Sequence, residues 1–278
     1  MPFTPSHAAA ALLFTRTPLF PAALVAGSVA PDLPYYLPLP IDRELTHEPV
    51  GVITIDLLLG LTAFLLWQLA FRTPVLDLSP AWLRERMPQR SPLGWHVSGR
   101  VWPVTLLLLV ASLVVGSITH LVWDEFTHPG WLVDHVTVLR LQAGPLLVHK
   151  WLQHGSTVFG LAVIAVWALR WVARTPVVPT AGVVHNRIRL GSWIAVAAVF
   201  VVSALVAWAV ALVAQVTAGI PFAPLDPGVV FLTARICVAS ALASAILICV
   251  GWYFYRARAS VASTPTTFQN SGNRGDMP

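Results

Sequence analysis

The chain has 278 residues, of which 56% are hydrophobic and only 10% are charged, and its mean hydropathy is +0.73. Soluble domains carry about 25% charged residues, so this composition excludes an ordinary water-soluble protein and indicates an integral membrane protein. The formal net charge is +5, but the basic residues are scattered between apolar runs. That distribution indicates membrane orientation rather than a nucleic-acid-binding surface, and no nucleic-acid partner is expected.

Apolar stretches follow one another along the chain. The first, 8–30, is interrupted at Arg16, Thr17 and Pro18. It predicts two short helices in a hairpin that either re-enters the membrane or lies buried against the bundle. A spanning helix needs about 20 apolar residues, and five later stretches meet that length: 51–71, 101–126, 155–173, 191–217 and 228–255. The predicted fold is all-α, a polytopic membrane helical bundle of five spans plus an N-terminal broken helical hairpin.

Arginines between the spans predict which side of the membrane each segment faces. Segment 73–100 holds four arginines and 174–190 holds three, whereas 127–154 holds one arginine and one lysine and 218–227 holds neither. Because positively charged loops stay in the cytoplasm, segments 31–50 and 127–154 are expected outside. Three units are predicted: a metal-site membrane domain over 1–160, the remaining transmembrane helices over 161–258, and a disordered cytoplasmic tail over 259–278.

Potential metal ligands collect at the predicted outer ends of these segments. Three of them recur every four residues at the end of the second span, so they share one helix face. Three others precede it, in the hairpin and the segment that follows. The full set is His7, Asp32, His47, His120, Asp124 and His128. Neutral histidines with aspartates are the ligand set of zinc and similar divalent metals. One or two ions, most plausibly zinc, are therefore expected, with Asp32 and Asp124 also able to orient a water molecule.

The roles of four further polar residues stay open. Asp56 lies one turn into the first span, at a depth similar to that of the expected ligands. His149 and His154, in the predicted outer segment, are either additional site groups or ordinary surface residues. Arg235, near the outer end of the last span, is explained equally well by snorkelling to the interface and by substrate binding.

Several short motifs resemble a bacterial membrane family, the domain of unknown function 4184. They are MPFTPSHAA at 1–9, GSVAPD at 27–32, HLVWDEFTH at 120–128 and KWLQHGS at 150–156. The resemblance covers roughly residues 1–160. This family is similar to membrane-bound metal-dependent hydrolases, which implies a multi-pass protein of the bacterial cytoplasmic (inner) membrane.

The order of the ligands is also similar to that of the zinc-dependent phospholipase C and P1 nuclease group of helical phosphodiesterases. By that resemblance Asp32, His47, His120 and Asp124 would hold one zinc ion. His7 would help hold a second ion bridged by Asp124, and His128 would correspond to a ligand of a further one. That group also uses the freed N-terminus of its mature chain and a second histidine–carboxylate pair spaced four apart. Here residue 1 is a methionine and the pair is missing, so one or two metals are expected rather than three.

The favoured hypothesis is a phosphodiesterase-like, metal-dependent hydrolase that acts on phosphoesters or lipid head groups at the outer face of the membrane. Its expected partners are the bilayer and a lipid or phosphoester substrate. Two alternatives stay open. One is a metal or proton transporter, because stripes of histidine and aspartate also form ion relays. The other is a non-catalytic membrane protein with a structural metal site.

Overall fold

The structure is a computed structural model that describes residues 4–37, 39–88, 102–180, 184–224 and 226–262. The chain folds almost entirely into helices, which confirms the predicted all-α class. Within the described residues, five helical segments are long and apolar enough to cross a membrane: Ile55–Leu78, Trp102–His135, Val148–Arg174, Asn186–Thr217 and Pro227–Arg258. The five predicted spans are thereby confirmed.

The α-helices are, in chain order, α1 (Pro21–Val29), α2 (Leu33–Tyr36), α3 (Arg43–Thr46), α4 (Pro49–Ile53), α5 (Ile55–Leu66), α6 (Arg72–Leu78), α7 (Ala81–Arg84), α8 (Trp102–Thr127), α9 (Trp131–His135), α10 (Val148–Arg174), α11 (Asn186–Thr217) and α12 (Pro227–Ala262). Within the described ranges, three 3-10 helices cover Thr4–Phe14, Ala30–Asp32 and Thr137–Arg140, and a π-helical turn, Trp67–Phe71, joins α5 to α6. Two short antiparallel strands, β1 (Gln142–Ala143) and β2 (Leu146–Leu147), form a small hairpin in the segment between α9 and α10.

The N-terminal helical hairpin is also confirmed. The 3-10 helix Thr4–Phe14 packs against α1, and the chain reverses around the predicted break at residues 16–18. Pro21 opens α1 at the first helical position, where its missing N–H costs no hydrogen bond. From this hairpin, Phe20 and Ala23 pack with Phe64 of α5 and with Leu109 and Leu113 of α8 in a buried apolar core. The hairpin is therefore buried against the first two spans.

Helices α1 and α8 meet at backbone contact. A Cβ atom added at Gly116 would lie 2.3 Å from the Leu24 carbonyl oxygen and 3.0 Å from the Gly27 Cα. The Ser117 hydroxyl donates a hydrogen bond to the Gly27 carbonyl oxygen across the same contact, at 3.1 Å. Small residues allow this close approach between membrane helices. The contact brings the last turn of α1 against the C-terminal half of α8.

The helices extend beyond several of the predicted boundaries, and the first and third spans illustrate the reasons. The first is interrupted at Thr54 and continues to Leu78, beyond the predicted end at 71. This extension contains the charged Asp77. The Trp252 indole N–H donates a hydrogen bond to the Asp77 carboxylate at 2.7 Å, which stabilises the charge at this position. Helix α10 begins at Val148 rather than at 155, because its first turns bury polar residues that a hydropathy criterion leaves out, including His149 and Gln153.

The C-terminal end is partly described. Helix α12 continues to Ala262, so the first four residues of the predicted tail, 259–262, are helical rather than disordered. The remainder of that tail, and the arginine-rich segment 89–101, lie outside the described residues. The predicted domain boundary at residue 160 falls within α10 and stays a prediction.

Candidate metal centre

The structure brings the six predicted ligands together at one end of the bundle. His7 comes from the N-terminal 3-10 helix, Asp32 from the turn after α1, and His47 from the residue after α3. The remaining three lie along the end of α8. Asp32 and His120 are 1% and 0% exposed, whereas His47 is only partly buried. The cluster therefore has a buried side and a side open to solvent.

Four of these residues enclose a common point. The His120 Nε2 atom lies 3.5 Å from Asp124 Oδ2 and 3.7 Å from Asp32 Oδ1. The His47 Nε2 atom lies 3.8 Å and 3.7 Å from the same two oxygens. Two ligand atoms of one tetrahedral zinc ion are about 3.4 Å apart, because bonds of about 2.0–2.2 Å meet at the tetrahedral angle. The four atoms are thus spaced as one ion requires, with a slight expansion.

Asp124 directs its other oxygen towards a second pair of histidines. Its Oδ1 atom lies 3.6 Å from His7 Nε2 and 3.4 Å from His128 Nδ1. The ring of His7 stacks on that of His120, with centroids 4.0 Å apart. Ligand atoms of His7, Asp32 and His120 also lie within 4.8 Å of one another. A second ion next to the first, bridged by Asp124, is compatible with this geometry.

Buried polar atoms without partners support the fit of a cation. Among the described residues, His7 Nε2, Asp32 Oδ1, His120 Nε2 and Asp124 Oδ1 are buried and make no hydrogen bond. The separations between them are too long for hydrogen bonds, and buried polar atoms are nearly always satisfied in native proteins. A divalent cation among them would supply the missing interaction, so the residues present fit a metal ion.

The other polar atoms of the cluster orient its ligands. The His120 Nδ1–H donates to the Ser28 carbonyl oxygen at 2.7 Å, which leaves the Nε2 lone pair facing the carboxylates. The Thr46 hydroxyl donates to the Pro31 carbonyl oxygen and can accept from His47 Nδ1–H at 3.1 Å. These tautomers follow from the hydrogen-bond network. Both histidines are thereby held with Nε2 directed inward.

The N-terminal ligands are in metal-binding protonation states. Burial lowers the pKa of His7 to about 4, so its imidazole is neutral at neutral pH. Burial alone would raise the pKa of Asp32. The two histidines beside its carboxylate, His47 and His120, together with the hydrogen bond from Thr4, outweigh that effect and lower the pKa. The Thr4 hydroxyl donates to Asp32 Oδ2 at 2.6 Å and leaves Oδ1 directed into the cluster. Neutral histidine and ionised aspartate are the forms that bind metals.

His128 lies at the edge of the cluster and also contacts α10. Its Nε2 atom is 3.4 Å from the Gln153 side-chain nitrogen, and its Nδ1 atom is 3.0 Å from the Thr127 hydroxyl. Gln153 in turn accepts a hydrogen bond from Lys150 at 2.9 Å. The α10 helix therefore supports His128 from outside the four-residue group.

The residues with open interpretations lie outside the two ligand groups. His149 is buried, but its Nδ1 atom pairs with the Leu139 carbonyl oxygen at 3.0 Å. His154 and Arg235 are exposed. Asp56 is fully buried, and within the described part of the chain neither of its carboxylate oxygens has a hydrogen-bond partner.

Sequence reasoning missed the groups that orient the ligands. Thr4, Thr46 and the Ser28 carbonyl were not among the candidates, although each contacts a predicted ligand. One signal was present in the sequence: the pair Thr-His occurs at 46–47, 119–120 and 127–128. In the first and last of these pairs the threonine hydroxyl lies close to Nδ1 of the following histidine, whereas the Thr119 hydroxyl donates to the Gly116 carbonyl oxygen.

A polar cavity of about 870 Å³ opens over the exposed side of the cluster. His47, Asp124 and His128 form its floor, and the segment between α2 and α4 together with the end of α8 form its walls. This size is within the range of small-molecule binding sites. We call it the polar mouth.

Comparison with known proteins identifies one family. A family described as a domain of unknown function (DUF4184) matches residues 1–250, which extends the predicted resemblance well beyond residue 160. No curated protein and no solved structure matches the chain.

Proposed function

The chain belongs to the DUF4184 family, and on that premise we propose that it is a membrane-bound, zinc-dependent hydrolase of phosphoesters or lipid head groups. The observation that carries the proposal is the convergence of His47, His120, Asp32 and Asp124 at ligand spacing. In addition, Asp32 Oδ1, His120 Nε2 and Asp124 Oδ1 are buried without a hydrogen-bond partner among the described residues.

The residues of the site have distinct proposed roles. The four-residue group would hold the first ion, and His7 with the shared Asp124 would hold a second. A bound divalent ion polarises a phosphoryl oxygen and lowers the pKa of water towards about 7. Asp32 and Asp124 would orient the attacking water and accept its proton. The polar mouth would connect the site with water.

We place this site on the outer face of the bacterial inner membrane. The arginine-rich segments 73–100 and 174–190 support that orientation through the positive-inside rule. A cysteine introduced at the exposed Val138, in the segment between α8 and α10, would then react with a membrane-impermeant maleimide in intact cells. Labelling only after lysis would reverse the proposed orientation.

Elemental analysis of the purified protein tests the metal site directly. Wild type is expected to hold zinc at stoichiometric amounts, and His120→Ala is expected to lose it. His149→Ala is the matched control, because this histidine is equally buried on a helix but pairs with a backbone carbonyl away from the cluster. Wild type without stoichiometric metal, or His120→Ala with unchanged metal, would refute the site.

Hydrolysis is a separate test with two arms, a soluble phosphodiester and phospholipid micelles. We expect zinc-dependent turnover that His120→Ala abolishes and His149→Ala retains. A metal-loaded protein that hydrolyses neither substrate would refute the proposed activity while leaving the metal site in place.

One observation favours a purely structural ion as the alternative. Four protein ligands around one point are typical of closed, structural zinc sites, whereas catalytic sites keep a position open. Replacing zinc with cobalt separates the two cases, because the absorption spectrum reports the coordination number. A spectrum that does not change when a phosphate analogue is added would favour the structural role.

The transporter alternative has less support. Along α8, the buried side chains beyond the cluster are those of the hydroxyl-bearing Ser117, Ser112 and Thr105 and the apolar Leu113 and Leu109, and none of them is ionisable. Ion relays through a bilayer are typically built from ionisable side chains. Zinc uptake into proteoliposomes would nevertheless overturn this ranking.

A further inference from the structure

An apolar groove of about 410 Å³ lies on the membrane side of the cluster. It runs between the N-terminal 3-10 helix, α8 and α10. Small side chains from the 3-10 helix line one wall, and larger apolar ones from the two spans line the others: Ala9, Ala10, Val122, Trp123, Phe159 and Val163. Since two of its walls belong to membrane-spanning helices with exposed apolar side chains, the groove opens towards hydrocarbon.

His7 joins this groove to the metal centre. Its side chain lines the groove, and its Nε2 atom lies 3.6 Å from Asp124 Oδ1. Asp124 also lines the polar mouth. Val122 borders both cavities. The cluster therefore lies at the boundary between an apolar cavity and a polar one.

We propose that this paired arrangement binds a membrane phospholipid, with one hydrocarbon chain in the groove and an ammonium-ended head group in the polar mouth. The phosphate between them then lies beside His7 and Asp124. Cleavage of that lipid rests on the proposed function, but binding of its chain does not.

Charge complementarity selects the head group. The polar mouth carries the carboxylates of Asp42, Glu44 and Glu125, and its described lining contains no lysine or arginine. A head group that ends in a negative charge would be repelled there, whereas an ammonium beyond the phosphate would be attracted.

Photo-crosslinking of the full chain tests the proposal. The probe is a lysophospholipid with an ammonium head group and a diazirine at the end of its chain, added to protein in detergent. Mass spectrometry of wild type is expected to find the label on groove residues such as Leu13 and Phe159. The labelling should be the same in zinc-loaded protein and in protein treated with a chelator. Val163→Phe fills the groove and is expected to reduce that labelling to the level of the lipid-facing residues of α11.

Val158→Phe is the matched control, because it adds the same ring to an exposed position of α10 outside the groove. It should label like wild type. Ala10→Leu narrows the groove from the opposite wall, and it decides the result if Val163→Phe does not fold. A competing lysolipid with an anionic head group and the same chain should displace the probe less well than the ammonium form.

Label spread evenly over the five spans, or unchanged in a folded groove variant, would overturn chain binding. Equal displacement by the anionic lysolipid would overturn the choice of head group. Groove labelling in a protein that hydrolyses no lipid would instead refute the proposed function and leave this inference intact.

Discussion

Replacing Gly116 with alanine should damage the proposed metal centre without touching a candidate ligand. The added Cβ would lie 2.3 Å from the Leu24 carbonyl oxygen, whereas ordinary contact begins at 3.4 Å. Helices α1 and α8 would have to separate by about 1 Å, the difference between these two distances. Overpacking of this kind costs about 1–3 kcal/mol of stability.

The same separation acts on the ligands. Asp32 follows α1 and His120 lies on α8, so the 3.7 Å between Asp32 Oδ1 and His120 Nε2 would increase. So would the 2.7 Å contact between the Ser28 carbonyl oxygen and His120 Nδ1. Metal–ligand distances tolerate only about 0.2 Å of change. Loss of an orienting partner typically weakens metal binding about 10–100-fold, and we expect a decrease of that size.

Competition with a chromophoric chelator measures the zinc dissociation constant of each variant. Gly155→Ala on α10 is the matched control, because its added Cβ meets nothing within 4 Å. That variant should bind zinc like wild type. Equal zinc affinity for folded Gly116→Ala and wild type would refute the claim that the α1–α8 contact sets the ligand geometry.

Three further predictions concern single groups. Thr46→Val should weaken zinc binding about 10-fold or more, because it removes the hydroxyl next to His47 Nδ1. Thr62→Val is the control and should bind zinc like wild type, because the Thr62 hydroxyl donates to the Leu58 carbonyl oxygen of its own helix. Asp56→Asn should raise the free energy of unfolding by about 1–3 kcal/mol, because it removes a buried charge whose oxygens have no described partner; a lower melting temperature would argue against this. Chelation should lower the melting temperature of wild type but not of His120→Ala. Free zinc at about 100 times its dissociation constant stabilises the folded state by about 2.7 kcal/mol, and equal shifts in both proteins would exclude a specific site.

The spans and the main ligand stripe could be predicted from the sequence because each depends on local chemistry. A run of about 20 apolar residues is sufficient to recognise a span. Helix geometry places His120 and Asp124 on one face wherever the helix forms. The meeting of Asp32 and His47 with this stripe was predicted from the sidedness of the segments, and the structure places them together.

The orienting groups could not be predicted in the same way. The partner of His120 Nδ1 is the backbone carbonyl of Ser28, and a carbonyl is present in every residue. The contact at Gly116 depends on how two distant helices cross. The first span extends to Leu78 because Asp77 finds its partner in Trp252, which lies 175 residues away. Each of these depends on tertiary packing that no local pattern specifies.

The origin of the candidate ligands has a consequence for how the protein is made. His7, Asp32 and His47 all precede the first span, whereas His120 and Asp124 lie at the far end of the second. A chain that inserts from its N-terminus therefore holds three ligands before the others have been synthesised. In that interval the hairpin also lacks Leu109 and Leu113, which cover its apolar side in the finished fold. The cluster can close only after α8 has entered the membrane, so a filled site would mark a chain whose insertion has passed that point.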